Sequence, residues 1–428
     1  MRSTQCRVCR GRALQPFLDL GPTALANRFL RPEQAGEEPT FPLRLVLCRS
    51  CGLVQIDEEV APETLFSDYI YVSGTSDLIF QHAAWLAEFF VRNYQLTAGD
   101  LVVEVASNDG TVLKALRPHG VRVVGVEPAD NLARHARHAG LETVCAFFGE
   151  DTVKDLRERF GAARLVLARH VLAHVPDLHG FVRGLAAALA EDGVAAVEVP
   201  HLLLLREGLQ YDTVYHEHLC YFSVRVLRNL FERCGLELIH VQDVAIHGGS
   251  ILVTAQRQGG PRPVAASVAE QIAREETAGL HLPGPWLAFG RRVAYNRLAL
   301  RAELDRLHSA GRTVAGYGAP AKGMTLLAYC DLGPERIAYL VDRSPHKQGL
   351  LTPGHHIPIY PPEKLLTEQP DVVLVLAWNF LTEIVRQQAE YLRRGGRFLV
   401  PTPVPHYGDT VAGHLQSLAN PAPARRAA

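Results

Sequence analysis

Residues 101–116 read L-V-V-E-V-A-S-N-D-G-T-V-L-K-A-L, and this stretch decides the fold. The valine-rich start predicts a buried strand over Leu101–Ala106, because β-branched side chains suit a packed pleated surface. S-N-D-G is turn chemistry, and the segment after it predicts a helix over Thr111–Arg117. The alternation continues downstream. Strands are predicted at Val121–Val126, Glu142–Ala146, Arg164–Ala168 and Val194–Val199, with helices at Asn131–Ala139 and Leu178–Ala190. Short apolar runs joined by helices predict a parallel sheet covered on both faces, an α/β fold of Rossmann-like type. Residues 224–257 add a helix (Val224–Cys234) and two strands (Glu237–Val244, Ile251–Ala255), read as antiparallel edge pieces.

Upstream of this core, residues 75–98 predict a helix that ends near Gly99. Residues 1–70 read as a loop-rich module with two tight cysteine pairs, Cys6/Cys9 and Cys48/Cys51. In a reducing compartment, two C-x-x-C knuckles separated by a loop predict a closed tetrahedral thiolate zinc site. A redox dithiol is the alternative, but it needs only one pair. Such a module buries little apolar area, which a structural metal offsets. The other four cysteines, Cys145, Cys220, Cys234 and Cys330, read as small buried hydrophobes.

Downstream, Gly259–Ser267 reads as a linker and Trp286–Ala310 as a long helix. A second α/β set follows: strands at Thr313–Gly316, Ile337–Val341, Val372–Leu376 and Phe398–Val400, with helices after Pro320 and over Thr382–Arg393. The expected organisation is a zinc module (1–70), a central domain (71–258), a C-terminal Rossmann-like domain (259–418) and a disordered tail (419–428). No repeat of solenoid length is evident.

The bulk figures narrow the function. The chain has 428 residues, 47% hydrophobic and 21% charged, with a formal net charge of −1. Near-neutral electrostatics give no reason to expect nucleic-acid binding. No apolar stretch reaches bilayer-spanning length, and the N-terminus lacks the apolar core of a signal peptide, so the expected location is the cytoplasm.

The loop Glu104–Gly110, E-V-A-S-N-D-G, follows the first strand of the sheet and so belongs at its carboxyl edge, where such folds bind ligands. The G-x-G-x-x-G fingerprint is absent, which argues against a nicotinamide or flavin there. The second strand ends at Glu127, which places a carboxylate where a ribose diol can be gripped. That combination matches the class I methyltransferases, which hold S-adenosylmethionine in this way. The plainer alternative is a tight βα turn beside a surface glutamate.

The ordered set C-x-x-C…C-x-x-C, S-N-D-G, V-L-A-H-V, Y-H-E-H-L-x-Y-F-S, H-G-G-S and G-A-P-A-K-G makes the resemblance specific. Over essentially its whole length the chain resembles the sugar C-methyltransferase family, whose members methylate carbon 3 of deoxy-4-keto sugar nucleotides. The resemblance implies S-adenosylmethionine as cofactor, structural zinc on Cys6, Cys9, Cys48 and Cys51, and a nucleotide-sugar substrate. It implies that Glu104, Ala106, Asn108 and Gly110 line the methionine and ribose portion, with Glu127 on the ribose hydroxyls. Ala106 is a departure, since such loops usually carry glycine. Phe148 is placed over the adenine or in the core; Tyr71 and Ser73 are placed in a lid over the cofactor or in a tyrosine-anchored loop; Arg169 and His170 fall at the ligand-facing edge of the fourth strand.

Tyr215–Phe222, Y-H-E-H-L-C-Y-F, concentrates titratable groups that are costly in a core and apt for proton transfer at neutral pH. The chemistry expected is removal of the proton beside a 4-keto group and attack of the resulting enolate on an activated methyl. His218 is the candidate base, Glu217 the carboxylate orienting a neighbouring imidazole, and Tyr215 and His174 the donors to the ketone oxygen. His216 is read as structural. G-Y-G-A-P-A-K-G (Gly316–Gly323) can receive a diphosphate or be a glycine-rich turn with a solvated lysine, and H-G-G-S (His247–Ser250) can border the sugar or form a turn. Two rivals stay open: methyl transfer to oxygen or nitrogen of another small molecule, and a non-catalytic zinc-ribbon scaffold. Sequence alone leaves the oligomeric state open, and a monomer is compatible with it.

Overall fold

The computed structural model describes residues 3–36, 38–61, 64–65 and 77–408. Tyr71, Ser73 and the tail at 419–428 lie outside the described residues. Three sheets carry the chain.

The first sheet corrects the loop-rich reading of residues 1–70. Strand β1 (Leu14–Ala24) pairs antiparallel with β2 (Thr40–Cys48), and β2 pairs with β3 (Val54–Ile56). Along β2, Leu43, Leu45 and Leu47 recur every second residue and are fully buried, each worth about 1.5–3 kcal/mol of burial. They join the same continuous core as the central sheet, so this module is not poor in apolar packing. Prolines disguised it. Pro16 and Pro22 flank register shifts in β1, where a missing backbone donor is tolerated.

The central sheet has seven strands. Strands β4 (Leu101–Val105), β5 (Arg122–Val126), β6 (Glu142–Val144), β7 (Ala163–Arg169) and β8 (Leu189–Pro200) run parallel. After an excursion through the two-residue strand β9 (Cys220–Tyr221), which pairs with β3 of the first sheet, the chain adds β10 (Leu236–Val244) and β11 (Ser250–Arg257). The order is β10-β11-β8-β7-β4-β5-β6, with β11 antiparallel to both neighbours. Each strand is apolar on both faces for a stated reason. Val103, Val105, Val166 and Val197 enter the large core on one side, while Val102, Leu165, Leu167 and Ala196 pack under the helix Asp77–Asn93 on the other. This arrangement brings the carboxyl ends of β4, β5, β7 and β8 to one edge, and that edge carries the site.

The third sheet is again doubly wound. Strands β12 (Val314–Tyr317), β13 (Leu340–Val341), β14 (Ile359–Tyr360), β15 (Val372–Val375) and β16 (Arg397–Val400) are parallel, and β17 (His406–Tyr407) returns antiparallel, in the order β14-β13-β12-β15-β16-β17. Three local expectations need correction. The strand expected at Ile337–Val341 shrinks to its last two residues; the helix expected over Thr382–Arg393 is two helices, Leu381–Gln387 and Ala389–Arg393; and the supposed linker leads at once into the helix Ala266–Thr277.

The helix Pro283–Ser309 ties the first and third sheets together. Pro283 opens it, where the lost N–H costs nothing. Its buried stripe, from Trp286 through Phe289 and Val293 to Leu300 and Leu304, follows helical spacing. Trp286 meets Phe17 of β1 with ring centroids 5.1 Å apart. Gly290 permits that approach, because a Cβ there would stand 2.4 Å from the Phe17 carbonyl oxygen. Among the described residues no helix is long and apolar enough to cross a membrane.

Candidate active site

Two turns at the start and end of the β1–β2 hairpin bring Cys6, Cys9, Cys48 and Cys51 together, with all four sulfurs within 4.8 Å of one another. Cys6 and Cys51 sulfurs are 3.5 Å apart, as are those of Cys9 and Cys48, and all four are free thiols. A tetrahedron with Zn–S bonds of about 2.3 Å needs sulfurs about 3.8 Å apart, so the donor set fits a closed structural zinc. The metal would be held with no position left for a substrate.

At the carboxyl edge of the central sheet lies a cavity of about 1220 Å³. That exceeds the range of about 300–1000 Å³ usual for one small ligand, leaving room for a cofactor and a substrate together. Ala106, Asn108, Glu127, Phe148, Arg169, His170, His174, Tyr215 and His218 all line it. Three expected residues do not. Gly110 turns away beneath the loop, where a Cβ would collide with Leu141 Cδ1 at 2.1 Å. Glu104 lies under the floor, its Oε1 accepting from Arg169 Nε at 3.2 Å. Burial drives its pKa up to about 7 despite that cation. Glu217 is buried, and its Oε1 accepts from Asn27 Nδ2 at 2.7 Å.

The first loop is held in a costly shape. Ala106 and Asn108 adopt φ of 51° and 54°, the left-handed region that L-residues avoid. The turn aims the Asn108 amide at Glu127 Oε2, 2.8 Å away, while Ala129 N–H donates to Oε1 at 2.9 Å. Each carboxylate oxygen keeps a lone pair for a ribose hydroxyl. Burial raises the Glu127 pKa, and these two amides work against that rise. Phe148 packs against Phe181 in a T-shaped contact at 5.3 Å, whereas Phe147 is 52% exposed and also lines the cavity. Sequence reasoning singled out the more buried of the two rings. The acid, the adjoining amides and the apolar rings fit the nucleoside end of S-adenosylmethionine.

The Y-H-E-H segment is a turn, closed by His218 N–H donating to the Tyr215 carbonyl at 2.9 Å. The turn stacks the Tyr215 and His218 rings, centroids 4.0 Å apart, and sets the Tyr215 hydroxyl 2.8 Å from His218 Nε2. His218 Nδ1 lies 2.8 Å from the Thr213 carbonyl oxygen, which can only accept, so Nδ1 carries the hydrogen and Nε2 accepts from the phenol. The backbone at Thr213 thus orients this imidazole, while the Glu217 carboxylate is engaged by Asn27. Burial and the neighbouring His174 push the His218 pKa well below the usual value. His174 stands edge-on to His218 at 4.9 Å and is lowered by burial to about 4. Both rings are therefore neutral near pH 7. His216, read as structural, points away to the Pro42 carbonyl at 3.1 Å.

This segment is fastened on both sides. Upstream, Tyr211 hydroxyl donates to Asn296 Oδ1 at 2.8 Å, Trp378 Nε1 donates to Asp212 Oδ2 at 2.6 Å, and Thr325 hydroxyl donates to the Val214 carbonyl at 2.8 Å. Downstream, β9 pairs with β3.

The opposite wall comes from the loops of the third sheet. Lys322 opens the helix Ala321–Cys330; its ammonium sits 3.6 Å from the Trp378 ring centroid and bonds Asn379 Oδ1. Burial lowers its pKa to about 7, while Asp212 opposes the shift. Lys347 donates to the Ala319 carbonyl at 2.7 Å and is also lowered by burial. Arg343, ion-paired with Glu383 at 2.9 Å, also lines this wall, as do Asp342 and His346. Lys347 and Asn27 were missed from sequence, since no local pattern marks them.

Three family matches cover the chain: residues 6–66 match a zinc binding domain, 82–241 a methyltransferase domain, and 245–403 the C-methyltransferase C-terminal domain. The C-methyltransferase NovU of Streptomyces niveus is 42% identical over 402 residues, 94% of this chain and 96% of that protein. A ubiquinone biosynthesis O-methyltransferase of Bradyrhizobium diazoefficiens is 31% identical over 110 residues, 25% of this chain and 42% of that protein. Magnesium protoporphyrin IX methyltransferase from Synechocystis PCC 6803, at 15% identity and a TM-score of 0.33, covers 44% of this chain and 88% of its own, a likeness too slight to add to the fold described. The near full-length match to a C-methyltransferase sets aside both the scaffold reading and transfer to oxygen or nitrogen. The chain belongs to the C-methyltransferase family, as an S-adenosylmethionine-dependent enzyme with a zinc-binding module at its N-terminal end.

Proposed function

We propose that this enzyme methylates carbon 3 of a nucleotide-linked 4-keto deoxysugar, a dTDP sugar, through an enolate, with His218 as general base. The observation that carries this reading is the Tyr215–His218 pair set in a cavity whose far wall carries Lys322, Arg343 and Lys347. When bound, S-adenosylmethionine supplies an electrophilic methyl group on sulfonium. The residues supply the rest. His218 Nε2 already accepts the Tyr215 hydroxyl hydrogen, so a substrate proton taken up by the Tyr215 oxygen passes the phenol proton on to His218. Burial keeps that imidazole unprotonated and ready to receive it. His174, neutral for the same reason, is the candidate donor to the ketone oxygen as it gains charge. In this reading Lys322, Lys347 and Arg343 offer charge to a diphosphate, and the sugar lies between them and the cofactor loop. Glu127, Asn108, Ala106, Phe148, Arg169 and His170 are assigned to the cofactor side.

The proposed division of labour is zinc module 1–70, cofactor domain 71–258 and nucleotide-sugar domain 259–418, in a cytoplasmic enzyme that can act as a monomer. The test is incubation with a dTDP-4-keto deoxysugar in D2O. Expected are deuterium at carbon 3 when S-adenosylhomocysteine replaces the methyl donor, and a new carbon-bound methyl at that carbon when the donor is present. A product methylated on oxygen would sink the proposal.

A further inference from the structure

The floor of the cavity holds a second buried array, of which the chemistry above uses only His170. Glu198 in β8 has no exposed surface. Its Oε2 lies 2.6 Å from His82 Nε2, and its Oε1 lies 2.8 Å from His170 Nε2. His82 comes from the helix Asp77–Asn93, whose residue Ile79 also lines the cavity; His170 comes from the left-handed turn that closes β7, at φ 51°. Among the described residues, His170 Nε2 and Glu198 Oε1 are buried and neither has a partner of full hydrogen-bond geometry, so their 2.8 Å approach to each other is what offsets burying both. Burial alone would raise the Glu198 pKa, but His170 and His82 hold it well below the usual carboxylate range. An ionised carboxylate only accepts, so both imidazoles must carry hydrogen on Nε2. The His170 side chain is 22% exposed, and the ring of His247 stands edge-on to it at 4.5 Å and 84°. His170 lines the cavity, and Nδ1 is the ring nitrogen that Glu198 does not engage.

We propose that Glu198 is a positioning residue for the methyl transfer: it keeps hydrogen on His170 Nε2, so that His170 Nδ1 faces the cavity as an acceptor and takes an N–H or O–H donor from a bound ligand. The inference rests on the cavity being the shared cofactor and sugar site. The donor belongs either to the cofactor (ammonium or hydroxyl) or to the sugar, and the chemistry is common to both. His82 extends the arrangement to the helix Asp77–Asn93, so the same carboxylate fixes two walls of the cavity.

The test uses the full-length, zinc-loaded enzyme. Imidazole 15N NMR of the wild type is expected to report hydrogen on Nε2 of His170. His170→Gln keeps a donor near Glu198 and loses the Nδ1 acceptor; the affinity for one ligand should fall about tenfold to 100-fold. His170→Asn keeps an oxygen near the Nδ1 position and should stay within about threefold. Glu198→Gln lets both tautomers populate and should weaken the same ligand about two- to tenfold. A weaker Kd for S-adenosylhomocysteine assigns the donor to the cofactor; a raised KM for the dTDP sugar at unchanged Kd assigns it to the sugar. A purely structural role would lower Tm and leave these constants alone. A wild-type spectrum with hydrogen on Nδ1, or a folded Glu198→Gln enzyme with both constants unchanged, overturns the proposal. Failure to methylate a dTDP sugar overturns the substrate assignment instead, and leaves the spectrum and the S-adenosylhomocysteine arm intact.

Discussion

Replacing Tyr215 by Phe removes one oxygen and keeps the ring stack on His218, whose centroid is 4.0 Å away. Two costs follow from the geometry. His218 Nε2 loses the Tyr215 hydroxyl as donor in a buried site, which costs about 1–3 kcal/mol of stability. The reaction loses the atom that passes a proton to the imidazole. One positioned acid–base group is worth about 10²- to 10⁴-fold, or about 2.7–5.5 kcal/mol of barrier. His218→Asn removes the other end of the same relay and should slow the reaction by a similar factor. Because the two groups act as one unit, the double variant should be no slower than the slower single variant, instead of showing the product of both effects. Single-turnover methyl transfer with both ligands saturating measures the chemical step. Exchange of the carbon 3 hydrogen in D2O, with S-adenosylhomocysteine bound, isolates proton removal. Multiplicative losses in the double variant, or wild-type exchange in His218→Asn, would refute the relay.

The remaining expectations are briefer. His218 and His174 are both shifted below the ordinary 6.5, so kcat at saturating substrate should stay flat from pH 8 down through 6.5 and fall only in more acidic solution; a midpoint at 6.5 contradicts this. Linkage carries the same sign: the unfolded chain binds these protons first, so Tm should drop as pH falls below about 6.5. Lys322→Met should raise KM for the dTDP sugar about tenfold to 100-fold and leave S-adenosylhomocysteine binding unchanged, as read by calorimetry. In the wild type, KM should also climb as pH rises through about 7, where Lys322 loses its charge. Cys48→Ser should release the metal, measured by mass spectrometry, and cost about 4 kcal/mol or more. Activity should go with it, since β9 hangs on β3 immediately after the Y-H-E-H turn.

The parallel sheet was legible because both faces of each strand are buried, which writes a mostly apolar run into the sequence; Leu101–Val105, broken only by Glu104, and Leu165–Ala168 within Ala163–Arg169 are of this kind. The first sheet was not. Pro16, Pro22 and Pro42 break the pattern locally, and what holds β1 to β2 is a register that only the tertiary fold defines. The same limit applies to the site. Cysteine spacing and Y-H-E-H are local and could be read directly. The group that orients His218 is a backbone carbonyl, which has no residue signature, and the partner of Glu217 is Asn27, 190 positions away. Phe147 and Phe148 are identical letters, and only the packing of Phe148 on Phe181 tells them apart.

The two-sided fastening of residues 211–222 bears on recombination. Trp378, Asn296 and Thr325 grip one flank of this dodecapeptide, and Pro42 and β3 grip the other. The three matched segments are therefore not interchangeable cassettes. A chimera spliced near residue 245 inherits mismatched anchors for its own proton-handling loop unless the donor parent also supplies the lining that clasps it. Grafting new sugar preference onto this scaffold calls for transplanting the clasp together with the wall.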